Sequence, residues 1–166
     1  MAGVVRPYDS SADERWATGF LDEHLGGRRQ ARGGEFIDVL GPALGFVAGD
    51  RTGLLTYRAD GDVLELTAVA ADPTGRGTGT LLVDALVAAA RDVGASRIWV
   101  VTTNDNLDAL AFYEHRGFRV TTVRSGAIDE ARRTLKPTIP VVGQHGIEMH
   151  DEIELTRDVL GPDPEP

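Results

Sequence analysis

No cysteine occurs among the 166 residues. That excludes a disulfide framework, a thiol nucleophile and any cysteine-ligated metal site. Histidine is scarce: His24, His115, His145 and His150 are the four, and no two stand at a ligand spacing such as H-x-x-x-H, so no metal is expected. Lysine is nearly missing, with Lys136 the single example. No apolar run approaches the roughly 20 residues of a membrane-spanning helix. The opening Met1 to Pro7 lacks the apolar core of a signal peptide. A cytoplasmic protein with no membrane partner is the expectation. Positive charge is also in deficit, 17 Lys and Arg against 26 Asp and Glu, for a net charge of −9. That argues against nucleic acid, whose phosphates need a basic surface. It is compatible with a cationic substrate in an acidic cleft, and equally with solubility alone.

With 42% hydrophobic and 26% charged residues, the chain reads as one ordinary domain over 1–160. The proline-rich 161–166 is expected to be a disordered tail. The chain is organised around Asp62 to Val123. Val63 to Ala70 is β-branched and aliphatic without a breaker, the pattern of a mostly buried strand. The stretch Asp72-Pro73-Thr74-Gly75-Arg76-Gly77-Thr78-Gly79-Thr80 follows, and then Leu81 to Arg91, Ala- and Leu-rich, reads as a helix. Strand, glycine turn and helix together make an anion site, because the unpaired N–H groups of a first helical turn point at a phosphate. It is not a Walker loop, which needs Gly-Lys-Ser/Thr at the helix start. Nor is it a dinucleotide fingerprint, because Leu82 stands where the third glycine should be.

Arg97 to Thr103 is a second β-rich run. Asn104-Asp105-Asn106 supplies turn and N-cap residues, and Leu107 to Arg116 is helical in composition, stopped by Gly117. Asn106, Leu110, Tyr113 and Gly117 fall at i, i+4, i+7 and i+11, so one stripe of that helix carries an amide, a phenol and a glycine.

Arg-Gly-x-Gly-Thr before a helix, then Asn106-x-x-Ala109-x-x-x-Tyr113-x-x-x-Gly117-Phe118 after a strand, resembles the GNAT superfamily of N-acetyltransferases. The likeness covers about Leu44 to Val123 in motif detail, and the tail from Ala127 to Leu155 resembles a little-characterised bacterial subgroup. The family's first loop reads Gln/Arg-x-x-Gly-x-Gly/Ala. Gly77 and Gly79 are the matching glycines, while Thr74 replaces the first residue and costs one side-chain contact to a pyrophosphate.

The rest of the chain supplies the frame. Val4 to Tyr8 is expected as a short edge strand with Pro7 near its end. A helix over Ala12 to Leu25, with Ser11 and Glu14 as a capping box, aligns Trp16, Phe20 and His24 on one face. Residues 26–34, with Arg28, Arg29 and Arg32, read as a flexible basic loop, and Glu35 to Leu40 as a short helix. Leu44 to Val47, Gly53 to Arg58 and 62–71 are strands joined by hairpin turns. Phe118 to Val123 is a strand, Ile128 to Leu135 a helix and Glu148 to Arg157 the last strand. Hairpins followed by alternating units predict an α/β (mixed α+β) fold with a central, mostly antiparallel twisted sheet of about six to seven strands flanked by helices. The resemblance implies the GNAT-like version of it.

The resemblance also implies a chemistry. Acetyl-CoA is the cosubstrate, with no metal, and the acetyl group passes to a primary amine by direct attack. The strand before the glycine loop holds the pantetheine arm near Val69, Ala70 and Ala71. The pyrophosphate sits on Thr74, Gly75, Arg76, Gly77, Thr78, Gly79 and Thr80, and Asn106 and Ala109 complete the cofactor contacts, although Asn106 also serves as a plain N-cap. Tyr113 matches the position whose hydroxyl faces the thioester sulfur, and a phenol of pKa about 10 suits protonation of a leaving thiolate. Phe112 reads as packing. Glu65, four residues before Val69 on a strand, stands either as the general base or as a structural carboxylate. Glu35, His24 and His145 are other candidates for the base. The acceptor is a small-molecule or peptide amine, its walls built from 26–42 and 125–149, and a homodimer is carried by the resemblance alone. The rival function is an acyl-CoA-binding sensor or interaction module without turnover.

Overall fold

Asp9 starts the first helix. Its carboxylate accepts from Ser11 N at 2.9 Å and Ser11 Oγ at 2.7 Å, so α1 runs Ser10–Leu25 rather than from Ala12. The expected Ser11–Glu14 box does not form, since Glu14 pairs instead with Arg28 at 3.1 Å. Trp16, Phe20 and His24 do stack along one face, with ring centroids 5.1 and 4.4 Å apart. The structure, a computed structural model, describes residues 4–160. The proposed tail 161–166 lies outside the described residues.

The main sheet takes the order β1-β4-β5-β6-β7-β9-β8, from β1 (Val5–Pro7), β4 (Gly45–Ala48), β5 (Gly53–Asp60), β6 (Val63–Ala71), β7 (Arg97–Thr103), β8 (Arg119–Arg124) and β9 (Glu152–Asp158). Every neighbouring pair is antiparallel except β6 with β7. This is the expected mixed sheet with seven strands. The last strand starts at Glu152, not Glu148, and inserts between β7 and β8. The helices α2 (Thr78–Asp92), α3 (Leu107–His115) and α4 (Ala127–Thr134) match the helical stretches read from composition to within a few residues. No helix among the described residues is long and apolar enough to cross a membrane.

The segment 29–38 differs from expectation. Arg29–Arg32 (β2) and Glu35–Asp38 (β3) pair as a separate hairpin, where a loop and a helix were expected. Gly33 (φ 59°) and Gly34 (φ 80°) make its turn, and a two-residue turn with positive φ at both centres is the type that suits twisted strands. Gly-Gly between two runs is the sequence signal for it.

Two apolar layers sandwich the main sheet. α2 packs Leu82, Val83, Leu86 and Val87 on one face, against Leu55, Leu64, Leu66 and Val100. On the other face Ala17, Phe20 and Leu21 of α1 and Ile37 of the hairpin cover Val47, Leu54 and Ala68. Leu54 and Leu55 divide between the layers, as alternate strand residues must. β6 breaks that rule: Leu64 and Leu66 face α2, yet Ala68 faces α1 and Val69 faces α2. The cause is a bulge, since Leu66 opposes Tyr57 and Ala68 opposes Thr56, leaving Thr67 as the extra residue. A bulge reverses the facing of everything beyond it and strengthens local twist.

Candidate active site

β6 and β7 pair only from Val63↔Arg97 to Leu66↔Val100. Beyond that they fork. Residues 68–71 stay bonded to β5, and Val101–Thr103 to β9, so neither strand uses its inner edge for the other. The fork begins at the Thr67 bulge, whose added twist turns β6 away. Buried backbone groups normally require partners, and an inner strand edge is ready to bind an extended ligand. A cavity of about 790 Å³ lies in the fork.

The N-terminus of α2 forms the second wall. Gly77 caps it in the left-handed region (φ 77°) with no side-chain hydrogen bond, and the first turn holds no acidic residue. The first intrahelical bond here is Leu81 N to Gly77 O at 3.1 Å, which leaves the preceding amides for an anion. Close packing of glycine aims the helix at the fork. A Cβ on Gly53 of β5 would lie 2.7 Å from Thr78 Cγ2, and one on Gly79 would lie 3.3 Å from the Phe112 ring. Arg116 Nε donates to Thr80 Oγ1 at 3.0 Å, with its guanidinium 5.1 Å from the Phe112 centroid, and adds a positive charge beside the helix end. An extended, phosphate-bearing ligand fits this combination.

α3 supplies the third wall. Asn106 Oδ1 accepts from Ala109 N at 3.2 Å, so Asn106 is the N-cap, and it also lines the cavity. Tyr113 is buried between Phe112 and Phe118, at 5.4 and 5.5 Å between centroids, and lines the cavity. Burial pushes its phenol well above the ordinary value, with the charge of Arg32 pulling the other way. Among the described residues its hydroxyl has no hydrogen-bond partner, so it is free to donate to a ligand.

Val69, Ala70, Ala71, Thr74, Gly75, Gly77, Thr78, Gly79, Thr80, Asn106, Ala109 and Tyr113 all line this one cavity. Two expected residues do not. Arg76 is exposed outside the lining. Glu65 is fully buried on the α1 side of β6, because the bulge puts Val69, four residues on, on the opposite face from it. Its two oxygens pair with Arg58 and, at 3.4 Å, with Arg32. That is the arrangement of a structural carboxylate. The other candidates for the base also lie off the lining: Glu35 pairs with Arg58 at 3.7 Å, His24 with Asp72 at 3.5 Å and His145 with Asp108 at 3.3 Å.

Gln30 and Arg32, within the expected acceptor wall 26–42, line the cavity, and so do Phe112, Arg116 and Glu152, which the sequence reading had not assigned to the site. Phe112 was read as packing and does both. Glu152 is buried and accepts from Gly33 N at 3.1 Å. Of segment 125–149, Ile128 alone reaches the lining. The segment is fixed at its base by Asn104, whose side chain binds Glu148 O at 2.8 Å and His150 N at 3.0 Å.

Known proteins share this architecture. Residues 8–118 match the Acetyltransferase (GNAT) family. The uncharacterised protein YdhI of Bacillus subtilis (strain 168) is 39% identical over 110 residues, 66% of this chain and 68% of that protein. A Bacillus subtilis acetyltransferase solved in complex with CoA superposes with a TM-score of 0.67 at 20% identity, over 94% of this chain and 98% of that one. Ard1 from Thermoplasma volcanium superposes at 0.71 and 18% identity, over 97% and 100% of the two chains. At those identities the two structures speak for the fold, and the family match for the lineage. The chain belongs to the GNAT family of acetyltransferases.

Proposed function

We propose that the protein transfers an acetyl group from acetyl-CoA to a primary amine by direct attack. One observation carries this reading: the forked β6 edge, the open N-terminus of α2 and the Tyr113 hydroxyl meet in a single cavity. The acyl thioester supplies the activated carbonyl, and the chain's own residues do the rest. Amides at Thr78, Gly79 and Thr80 hold the pyrophosphate, with Arg116 beside them. The inner edge at Val69 to Ala71 holds the pantetheine arm, and an amide there donates to the oxyanion that develops on the carbonyl oxygen. Holding amine and carbonyl in contact removes the entropic part of the barrier.

The nitrogen–carbon bond forms as the carbon–sulfur bond breaks. Tyr113 gives its proton to the departing sulfur and regains one from the amine nitrogen through water, so the protons balance. An alkyl ammonium of pKa near 10.4 must first lose a proton. Glu65 acts by holding Arg32, not as the base. A cytoplasmic location follows from the need for acetyl-CoA.

Tyr113 favours turnover over a sensor that only binds acyl-CoA, since binding has no need of a proton donor. The test is calorimetric binding of acetyl-CoA, with ATP and NAD as controls, followed by CoA release in the presence of amines. Binding of acetyl-CoA alone, with amine-dependent release, supports transfer. Binding without release for any amine makes the protein a sensor, and binding of ATP instead overturns the site.

A further inference from the structure

Two consecutive residues at the tip of the β2–β3 hairpin bind opposite sides of the fork. Arg32 Nη2 donates to the Thr67 carbonyl of β6 at 2.8 Å. Gly33 N donates to Glu152 Oε2 at 3.1 Å and Oε1 at 3.3 Å, where Glu152 opposes Thr103 at the end of β7. The hairpin tip therefore spans the mouth between the diverging strands. Lys136, just after α4, reaches the same hairpin and donates to Arg29 O at 3.3 Å. An extended peptide acceptor needs an open groove at this end, and the hairpin occupies it. The acceptor side suits a small molecule.

The charges there are specific. Four charged side chains line the cavity: Arg32, Asp108, Arg116 and Glu152. Arg116 is engaged with Thr80 at the helix end, and Asp108 is exposed beside His145. Arg32 and Glu152 remain at the hairpin end, with side chains 11% and 4% exposed. Arg32 and Arg58 both bind the carboxylate of Glu65, Arg58 also pairs with Glu35 at 3.7 Å, and only Arg32 of these four lines the cavity. Arg32 spends Nη1 on Glu65 and Nη2 on Thr67 O and Gln30 Oε1. Of the five N–H groups of a guanidinium, Nε–H and the second Nη1–H have no partner among the described residues. Burial lowers its pKa against the pull of Glu65, Tyr113 and Glu152, which marks a cation held at a desolvation cost. Glu152 accepts from the Gly33 amide and is ion-paired with Arg124 Nη1 at 3.6 Å.

We propose that the acceptor is a small free amino acid, with its carboxylate on Arg32 and its ammonium on Glu152. The two unused N–H groups lie on different edges of the guanidinium, and either offers a carboxylate one charge-assisted hydrogen bond. The proposal rests on acetyl transfer at this site.

The experiment compares CoA release with common amino acids, their amides, the matching decarboxylated amines and tripeptides, alongside calorimetric binding of acetyl-CoA. For wild type, kcat/KM for the best amino acid should exceed that for its amide and its decarboxylated amine by about 10–100-fold, the scale of a charge-assisted hydrogen bond. Arg32→Met should erase that preference and leave acetyl-CoA binding unchanged. Should Arg32→Met not fold because it strands Glu65, Arg32→Met with Glu65→Gln removes both charges, and the wild-type comparison decides without any variant. Amides or decarboxylated amines used as well as amino acids overturn the proposal and leave acetyl transfer standing. So do tripeptides used as well as free amino acids. Failure to bind acetyl-CoA overturns both.

Discussion

The Arg32 guanidinium donates to the Thr67 carbonyl at 2.8 Å, joining a hairpin from one layer to the bulged residue where β6 leaves β7. The same cation is tied to Glu65 on the far face of the strand. Glu65 thus connects to the cavity through Arg32, without lining it.

Glu65→Gln separates a positioning role from a basic one. Removing a buried charge shared by two arginines should cost about 2 kcal/mol, or roughly 4–8 °C in melting temperature for a chain of this size. As a positioning residue, Glu65 should raise KM for the acceptor when changed, with the acid limb of the kcat/KM profile staying at its wild-type pH. Disappearance of that limb would make Glu65 the base.

Tyr113→Phe removes the phenol and keeps the ring packed on Phe118. Turnover should fall by about 10²–10⁴-fold while acetyl-CoA affinity holds within roughly twofold. A proton donor must keep its proton, and burial moves the Tyr113 pKa upward, so the protonated form persists past pH 10. A stopped assay between pH 7 and 10 should show no alkaline loss from this group. Unchanged turnover in the variant would reduce Tyr113 to packing.

Gly53 acts at a distance from any ligand. A Cβ there would lie 2.7 Å from Thr78 Cγ2 and 3.0 Å from Leu82 Cδ1, pushing the start of α2 off β5. Gly53→Ala should cost about 1–3 kcal/mol and weaken acetyl-CoA binding several-fold by calorimetry. Gly19→Ala, within α1 where nothing lies within 4 Å of the added carbon, should instead stabilise by about 0.5–1 kcal/mol.

Asp13 sets part of the acid stability. It is fully buried, bonded to Arg6 at 2.7 and 2.8 Å and to Arg51 at 3.3 Å. The Arg6 hydrogen bonds hold its carboxyl far below the usual range, against desolvation. A depressed folded pKa contributes stability above the unfolded value near 3.9 and loses it as pH falls toward the folded value. Asp13→Asn should therefore be less stable than wild type at pH 7, by about 1–3 kcal/mol, and the gap should start to narrow below about pH 4 and go on narrowing as the pH falls toward the folded value. A gap of the same size at pH 7 and pH 2.5 would mean packing, not charge, is at stake.

Local chemistry alone determined the elements on which this site stands. Ala- and Leu-rich runs made α2, Gly77 and Gly79 marked its open end, and the Asn106-to-Gly117 spacing placed Tyr113 on the cavity side of α3, because those properties depend on neighbours within a few residues. Gly33-Gly34 also spelled a hairpin, although the surrounding arginines disguised it as a loop. Tertiary structure decided the rest. The Thr67 bulge exists only against Thr56 of the neighbouring strand, and it alone turned Glu65 away from Val69. Glu152 joined the cavity because β9, far along the chain, inserts beside β7. Arg32 reached the fork because a hairpin folds over it. Contacts between residues 35 to 119 positions apart leave no periodic trace in sequence, so the open helix end was legible in the chain and the bridging of the fork by the hairpin was not.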